Sequence, residues 1–294
     1  MRHILDVASL SKDVIYTILS NAKQFKNFHT PKILLNEKII STMFFEPSTR
    51  TNMSFQCAAY KLGANVLAYN DIRSSSKKGE SLEDTVKSMS QYADALVIKH
   101  PESGAIRRCA KISDVPLINA GDGNSEHPTQ ALLDVFTIQE YFPLNKGFNI
   151  AFVGDLKNRS ALHSTVELLD KLYNNIQFSF VSHEGLQLEL EFYPKNNKYH
   201  IHTSINAVTS FANIIYMTRI QREREGTSKF RSCNIITKSF LEMCDNNLII
   251  MHPFPRNEEI DPEVDNDNRC KFMEQMKNGV YVRMSILDYV LNKN

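Results

Sequence analysis

Short apolar runs recur along the chain, separated by stretches whose apolar positions have helical spacing. The runs predict strands over Lys38–Phe45, Asn65–Ala68, Ala95–Lys99, Pro116–Asn119, Asn149–Gly154, Ile176–Val181, Asn213–Met217 and Asn247–Met251. Several are continuously apolar, as strands buried on both faces of a parallel sheet should be. Between them, Met53–Leu62 reads as a helix that stops at Gly63, a residue suited to the left-handed position after a helix. Ser81-Leu-Glu-Asp84 has the form of a capping box and predicts a helix running to about Tyr92. Pro128–Tyr141 and Ala161–Tyr173 are further helices, and Asp261–Asn268 reads as a polar loop. The last stretch, Val280–Leu291, is apolar at 282, 286, 287, 290 and 291, so one helical face must dock on something.

Strand–helix alternation of this kind predicts an α/β fold with right-handed crossovers. A break falls at Tyr141-Phe-Pro-Leu-Asn-Lys-Gly147, where a long helix ends and a fresh strand begins. The expectation is two α/β domains, each with a central, mainly parallel sheet.

Composition then narrows the function. The chain has 294 residues and a formal charge of +1, which argues against a general nucleic-acid binder, since such a protein needs clustered excess cations. It leaves room for a local basic pocket. No run approaches the ~18 apolar residues that span a bilayer, and the first residues carry no apolar segment of a signal peptide. The five cysteines are scattered without a Cys-x-x-Cys pair, which gives no support to a disulfide framework or a structural zinc site. No histidine pair has ligand spacing beside carboxylates, so no metal is expected. The expectation is a cytoplasmic protein with reduced thiols.

Six polar clusters lie just after strands, the end at which α/β proteins bind ligands. In Phe44-Phe-Glu-Pro-Ser-Thr-Arg-Thr51, a strand ends and Ser-Thr-Arg-Thr opens the next helix. Free N–H groups, hydroxyls and one Arg there make a phosphate cradle, though a Ser/Thr cap with a surface Arg would look the same. There is no Gly-x-x-x-x-Gly-Lys loop, so this is not a P-loop. The other clusters are Ser74-Ser-Ser-Lys-Lys-Gly-Glu80, Lys99-His100-Pro101, the stretch from Asn119 to His127 and Gln130, Met217-Thr-Arg-Ile-Gln221 with Arg222 and Arg224, and His252-Pro-Phe-Pro-Arg256. The paired lysines alone read as a solvated turn.

In this order the motifs Ser-Thr-Arg-Thr, Lys-Lys-Gly-Glu, His-Pro-Thr-Gln-x-Leu-Leu-Asp, Gly-Asp-Leu-Lys, Met-Thr-Arg-x-Gln and His-Pro-x-Pro-Arg resemble those of the aspartate carbamoyltransferase catalytic chains. The resemblance covers nearly the whole sequence. It implies a carbamoyl-phosphate domain over 1–141, completed by a C-terminal helix over 280–294 that crosses back to it, and an aspartate domain over 142–279. It also implies an active site in the cleft, shared across the interfaces of a homotrimer, with no metal or cofactor; a regulatory chain is left open. Carried over, Ser48, Thr49, Arg50 and Thr51 hold the phosphate. Ser74 and Lys78 reach in from a neighbouring subunit. Thr51 and His127 contact the carbamoyl oxygen, Gln130 the carbamoyl NH₂, and the Pro253 and Phe254 carbonyls orient that group. Arg219 and Gln221 bind aspartate, as does Lys78. Arg50, Thr51, Lys78 and His127 form the catalytic set.

Three positions depart from the family pattern, each by losing an arginine. Asn52 stands where a second Arg comes after Ser-Thr-Arg-Thr. Lys99 replaces an Arg that touches carbamoyl phosphate. Ser160 occupies the register of an Arg that clamps an aspartate carboxylate, with Arg159 one place early. Lysine is a point charge and cannot copy a bidentate fork. Two alternatives therefore stand beside the aspartate enzyme. One is a sibling transcarbamoylase for another amine such as ornithine, disfavoured by the cation in Met217-Thr-Arg-Ile-Gln221 and by the lack of Cys after His252. The other is a catalytically weak subunit kept for assembly or regulation.

Overall fold

A computed structural model describes residues 1–28, 34–70, 78–158, 160–221 and 234–292. The chain forms two compact units, 1–136 with 277–294, and 137–276.

In the first unit the elements are α1 (Lys12–Phe28), β1 (Ile39–Phe44), α2 (Thr49–Lys61), β2 (Asn65–Asn70), α3 (Leu82–Met89), β3 (Ala95–His100), α4 (Ala105–Ala110), β4 (Leu117–Asp122) and the start of α5 (Pro128–Tyr141). The four strands are all parallel, in the order β2-β1-β3-β4. Ala95–Ile98 and Leu117–Asp122 are buried throughout, which is why Ala95–Ile98 is apolar without alternation; Leu117–Asp122 also buries the polar Asn119 and Asp122. α1 buries Ile15, Ile18, Leu19 and Ala22, a stripe at helical spacing.

The second unit continues with β5 (Phe148–Val153), α6 (Ser160–Leu172), β6 (Ile176–Val181), β7 (Lys198–His202), β8 (Ile214–Met217), α7 (Lys238–Glu242), β9 (Ile249–Met251) and the start of α8 (Phe272–Leu291). Its five strands are parallel in the order β7-β6-β5-β8-β9. The fold is thus two α/β domains with wholly parallel sheets.

Several boundaries differ from the pattern-based expectation. α2 begins at Thr49, four residues before the first strongly apolar position. α3 stops at Met89, short of Tyr92. α8 begins eight residues before Val280, and its latter part belongs to the first unit. There Val282, Ile286, Leu287 and Val290 are buried and the Ser285 hydroxyl donates to the Ile18 carbonyl at 2.7 Å. The predicted loop at Asp261–Asn268 includes a 3₁₀ turn, Pro262–Val264, with Val264 buried. β7 has no apolar run because it is an exposed edge strand. Its approach is fixed instead by the buried Asp170, whose carboxylate accepts from the backbone N–H groups of Lys195, Asn196 and Asn197. Among the described residues no helix is long and apolar enough to cross a membrane.

Candidate active site

In each sheet the strand order reverses once, and the crevice beyond the carboxyl ends at that reversal is where open α/β sheets bind ligands. In the first unit β1 lies between β2 and β3, so the reversal gathers the carboxyl-terminal ends of β1 and β3. Ser48–Thr51 leaves the first of these ends, and Lys99 sits at the second.

Ser48 is the residue before α2, with φ −157° and ψ 85°, and its side chain makes no capping hydrogen bond. The hydroxyl is therefore not spent on the helix. Four N–H groups at a helix start have no partner within the helix. Here the first of the helix's own bonds to form is from Asn52 N–H to the Ser48 carbonyl, at 3.3 Å. Thr51 is buried, Arg50 and Ser48 are half-buried, and Thr49 is exposed. This arrangement offers backbone donors, hydroxyls and a guanidinium to one anion. Asn52 does not join it: its side-chain oxygen accepts from Gln56 Nε2 at 2.8 Å, one turn along α2.

Lys99, at the end of β3, pairs with Glu46 at 2.7 Å. Gly121 lies beside it with φ +125°, and a Cβ added there would come within 2.9 Å of Lys99 Nζ. His127 and Gln130 stand at the start of α5, both buried. Burial first, and then the charges of Lys99 and Arg283, hold the His127 imidazole well below its ordinary range, so it is neutral at pH 7. A neutral imidazole can donate one hydrogen bond without adding a charge. His100 is turned to structure: its Nδ1 accepts from the Glu102 N–H at 3.1 Å and its ring packs edge-on against Phe45. Lys78 is described and exposed. Ser74 lies outside the described residues.

In the second unit the reversal is at β5 and β8. The loops leaving these two strands are joined tightly. Gly154 has φ +115°, and a Cβ there would collide with the Thr218 carbonyl. Thr218 Oγ1 donates to the carbonyls of Val153 at 3.0 Å and Asp155 at 3.1 Å. Asp155 accepts from the Asn158 N–H at 3.1 Å and from the Gln221 N–H at 3.4 Å. The Gln221 amide nitrogen donates to the Asn158 carbonyl, so this predicted ligand is partly committed to the loop. Arg219 is half-buried, with Nη1 3.4 Å from the Ile220 carbonyl. Ser160 opens α6 and is half-buried. Arg159, Arg222 and Arg224 lie outside the described residues.

After β9 the chain is shaped by a buried pair. His252 Nε2 lies 2.7 Å from Glu259 Oε1, both side chains almost wholly enclosed. His252 Nδ1 accepts the Phe254 N–H at 2.8 Å, so the ring proton is on Nε2 and points at the carboxylate. Burial is the largest single influence and pushes the Glu259 carboxyl up, but the bond and charge of His252 together with backbone N–H groups outweigh it, leaving the group below its ordinary range. Phe254 itself is left-handed, φ 57°, and its ring packs against His252 and Phe272. Pro253 and Phe254 are thereby held in one backbone path. Arg256 is spent on a bidentate pair with Asp265, with Nη2 2.9 Å from Oδ2.

A family model described as "Aspartate/ornithine carbamoyltransferase, carbamoyl-P binding domain" matches residues 2–140, and one described as the "Asp/Orn binding domain" matches 146–290. The chain belongs to the aspartate/ornithine carbamoyltransferase family. Within that family it is similar to the aspartate carbamoyltransferase catalytic subunit of Vibrio campbellii, 40% identical over 302 residues, covering 99% of this chain and 97% of the relative. The corresponding subunit of Methanocaldococcus jannaschii is 40% identical over 306 residues, covering 100% of this chain and 99% of the relative. Among solved structures, aspartate transcarbamoylase of Trypanosoma cruzi in complex with carbamoyl phosphate and aspartate superposes with a TM-score of 0.93. It is 31% identical, over 99% of this chain and 97% of that chain.

The roles of three side chains escaped the sequence reading. Glu46 neutralises Lys99, and Glu259 fixes His252. Asp134 accepts from Gln130 Nε2 at 2.9 Å. The last was readable, because Gln130 and Asp134 are one helical turn apart, the spacing at which side chains meet.

Proposed function

We propose that this chain transfers the carbamoyl group of carbamoyl phosphate to the amine of L-aspartate, giving N-carbamoyl-L-aspartate and phosphate in pyrimidine biosynthesis. The observation that carries the reading is the content of the two sheet reversals. One presents the Ser48–Thr51 helix start with Lys99, His127 and Gln130; the other presents Arg219 and Gln221 of Met-Thr-Arg-Ile-Gln. The relatives named for the aspartate reaction support it over full length. The domain carrying carbamoyl phosphate is 1–141 with 280–294, and the aspartate domain is 142–279.

In this reading Ser48, Thr49, Arg50 and Thr51 bind the phosphate. Thr51 and His127 face the carbamoyl oxygen, Lys99 touches carbamoyl phosphate, Gln130 faces the carbamoyl NH₂, and the carbonyls of Pro253 and Phe254 orient that group. The amine nitrogen forms a bond to the carbamoyl carbon, and the carbonyl oxygen gains negative charge. That charge collapses as the carbon–oxygen bond to phosphate breaks, and the amine proton leaves with the phosphate. Fixed cations and N–H donors stabilise both developing charges without a covalent intermediate. Arg219, Gln221, Arg159 and Ser160 bind aspartate. The protein works in the cytoplasm as a homotrimer, with Lys78 of the partner subunit completing each site.

Two observations favour the weak-subunit reading: Asn52 is turned to Gln56, and Lys99 is already paired with Glu46. Carbamoyl-amino-acid formation, assayed with aspartate and ornithine side by side, separates the readings. Turnover with aspartate alone is expected. Turnover with ornithine would mark the sibling enzyme, and turnover with neither would mark an assembly subunit.

A further inference from the structure

Gln130 gives its Nε2 to Asp134 Oδ1 at 2.9 Å. An ionised carboxylate only accepts, so this bond fixes which way the Gln130 amide faces. Its nitrogen is turned to Asp134 and its oxygen is left as an acceptor, with no donor reaching it among the described residues. The orientation lasts only while Asp134 keeps its charge. Asp134 is 0% exposed, and a carboxylate in that position needs a cation nearby to stay ionised.

The charge that interacts with it is the guanidinium of Arg283. It is the one charged residue of the first unit's share of α8 to be buried, at 3% exposure, beside the apolar stripe of Val282, Ile286 and Leu287. Its guanidinium sits over the Phe55 ring, 5.2 Å from the centroid. It lies against Gly279, where an added Cβ would collide with Nη1. Its Nε has no hydrogen-bond partner among the described residues. Burial pushes its pKa down to about 10, with Asp134's charge opposing the fall. A buried guanidinium with an unpaired nitrogen is costly. An anchor for α8 on α2 could be apolar, so the charge itself calls for a use.

We propose that Asp134 and Arg283 act together as positioning residues that hold the Gln130 amide oxygen outward, so that the site selects an acyl phosphate bearing an N–H donor over one bearing a methyl group. Carbamoyl phosphate gives its NH₂ to that oxygen. Acetyl phosphate, of nearly the same shape, would bury the oxygen against a methyl group and leave it unpaired, and such a mismatch discriminates more strongly than lost contact area. Arg283 reaches the reaction only through Asp134 and Gln130. This rests on the reading of Gln130 as the ligand of the carbamoyl NH₂.

The test is the ratio of affinities for carbamoyl phosphate and acetyl phosphate, measured on the full chain by calorimetry, with carbamoylation of aspartate recorded in parallel. In Asp134→Asn, either amide can turn either way. The ratio is expected to fall about tenfold or more, through weaker carbamoyl phosphate binding with acetyl phosphate little changed. In a Gln130→Ala background, Asp134→Asn should change the ratio no further. Arg283→Met should lower the ratio as Asp134→Asn does, and Arg283→Lys should restore most of it; these two variants carry the test if Asp134→Asn fails to fold. Equal weakening of both acyl phosphates, or a ratio unchanged across the variants, would show that the pair only supports the fold and would overturn the proposal. A wild type that binds carbamoyl phosphate yet carbamoylates no aspartate would sink the proposed function while leaving the ratio test intact.

Discussion

Ser48 and Ser81 hold the same local position, the residue before a helix, and use it in opposite ways. Ser81 Oγ accepts the Asp84 N–H at 3.0 Å and donates to the Asp84 carboxylate at 2.8 Å; Ser48 makes no capping bond. Ser81→Ala should therefore cost about 1 kcal/mol of stability in urea unfolding without altering binding of inorganic phosphate. Ser48→Ala should do the reverse. For Arg50, the phosphate gains charge as it leaves, so Arg50→Ala should lower kcat about 10²–10³-fold; an unchanged kcat in steady-state assays would remove Arg50 from the site. His127 yields a pH prediction on phosphate-free protein. Its pKa is lowered on folding, so below the unfolded value of about 6.5 the unfolded chain binds more protons. Its contribution to stability is full above that pH and is lost as pH falls toward the folded pKa. The ring's NMR shifts should stay those of a neutral imidazole through pH 6.5, and a half-protonated ring there would contradict the burial argument. The motif residues were legible because phosphate and carboxylate chemistry restricts which side chains serve. Arg283, Glu46 and Glu259 were not, because each acts through a contact set by packing, whereas Asp134 stands one helical turn from Gln130. Arg283 did leave a trace, a lone charge beside the apolar positions of a helix.

At the scale of elements, strands buried on both faces were legible, since such strands are mostly apolar without alternation. β7 was not, because an exposed edge has no such demand and is held by Asp170 from another element. Charged residues also masked α1, where one buried stripe of Ile15, Ile18, Leu19 and Ala22 is diluted by lysines. The β5 and β8 loops show how close elements must come to form the second reversal. Gly154→Ala would place a methyl against the Thr218 carbonyl at a φ that alanine disfavours. It should lower the melting temperature and also raise the half-saturating aspartate concentration, because Arg219 and Gln221 ride on the same loop. A loss of stability with normal aspartate saturation would detach that loop from the substrate.

For the whole molecule, the exposed Lys78 has no structural task within its own subunit that the described contacts reveal. If it completes a neighbour's site, a Lys78→Ala chain mixed with an Arg50→Ala chain should regain part of the activity lost by each, since some sites in the hybrids receive both intact residues. Hybrids as inactive as their parents would confine every site to one chain.

The division of α8 has a consequence for how the protein is made. The unit that holds β1 to β4 is finished by residues 277–294, and its buried bond from Ser285 to Ile18 spans almost the full sequence. A ribosome delivers the chain in order, and domains tend to fold as they emerge. The inserted unit, 137–276, is therefore whole on the nascent chain while the earlier one still lacks its last helix. Until translation brings that helix out, the apolar faces it will cover stand open, and this is the interval in which a chaperone would matter most.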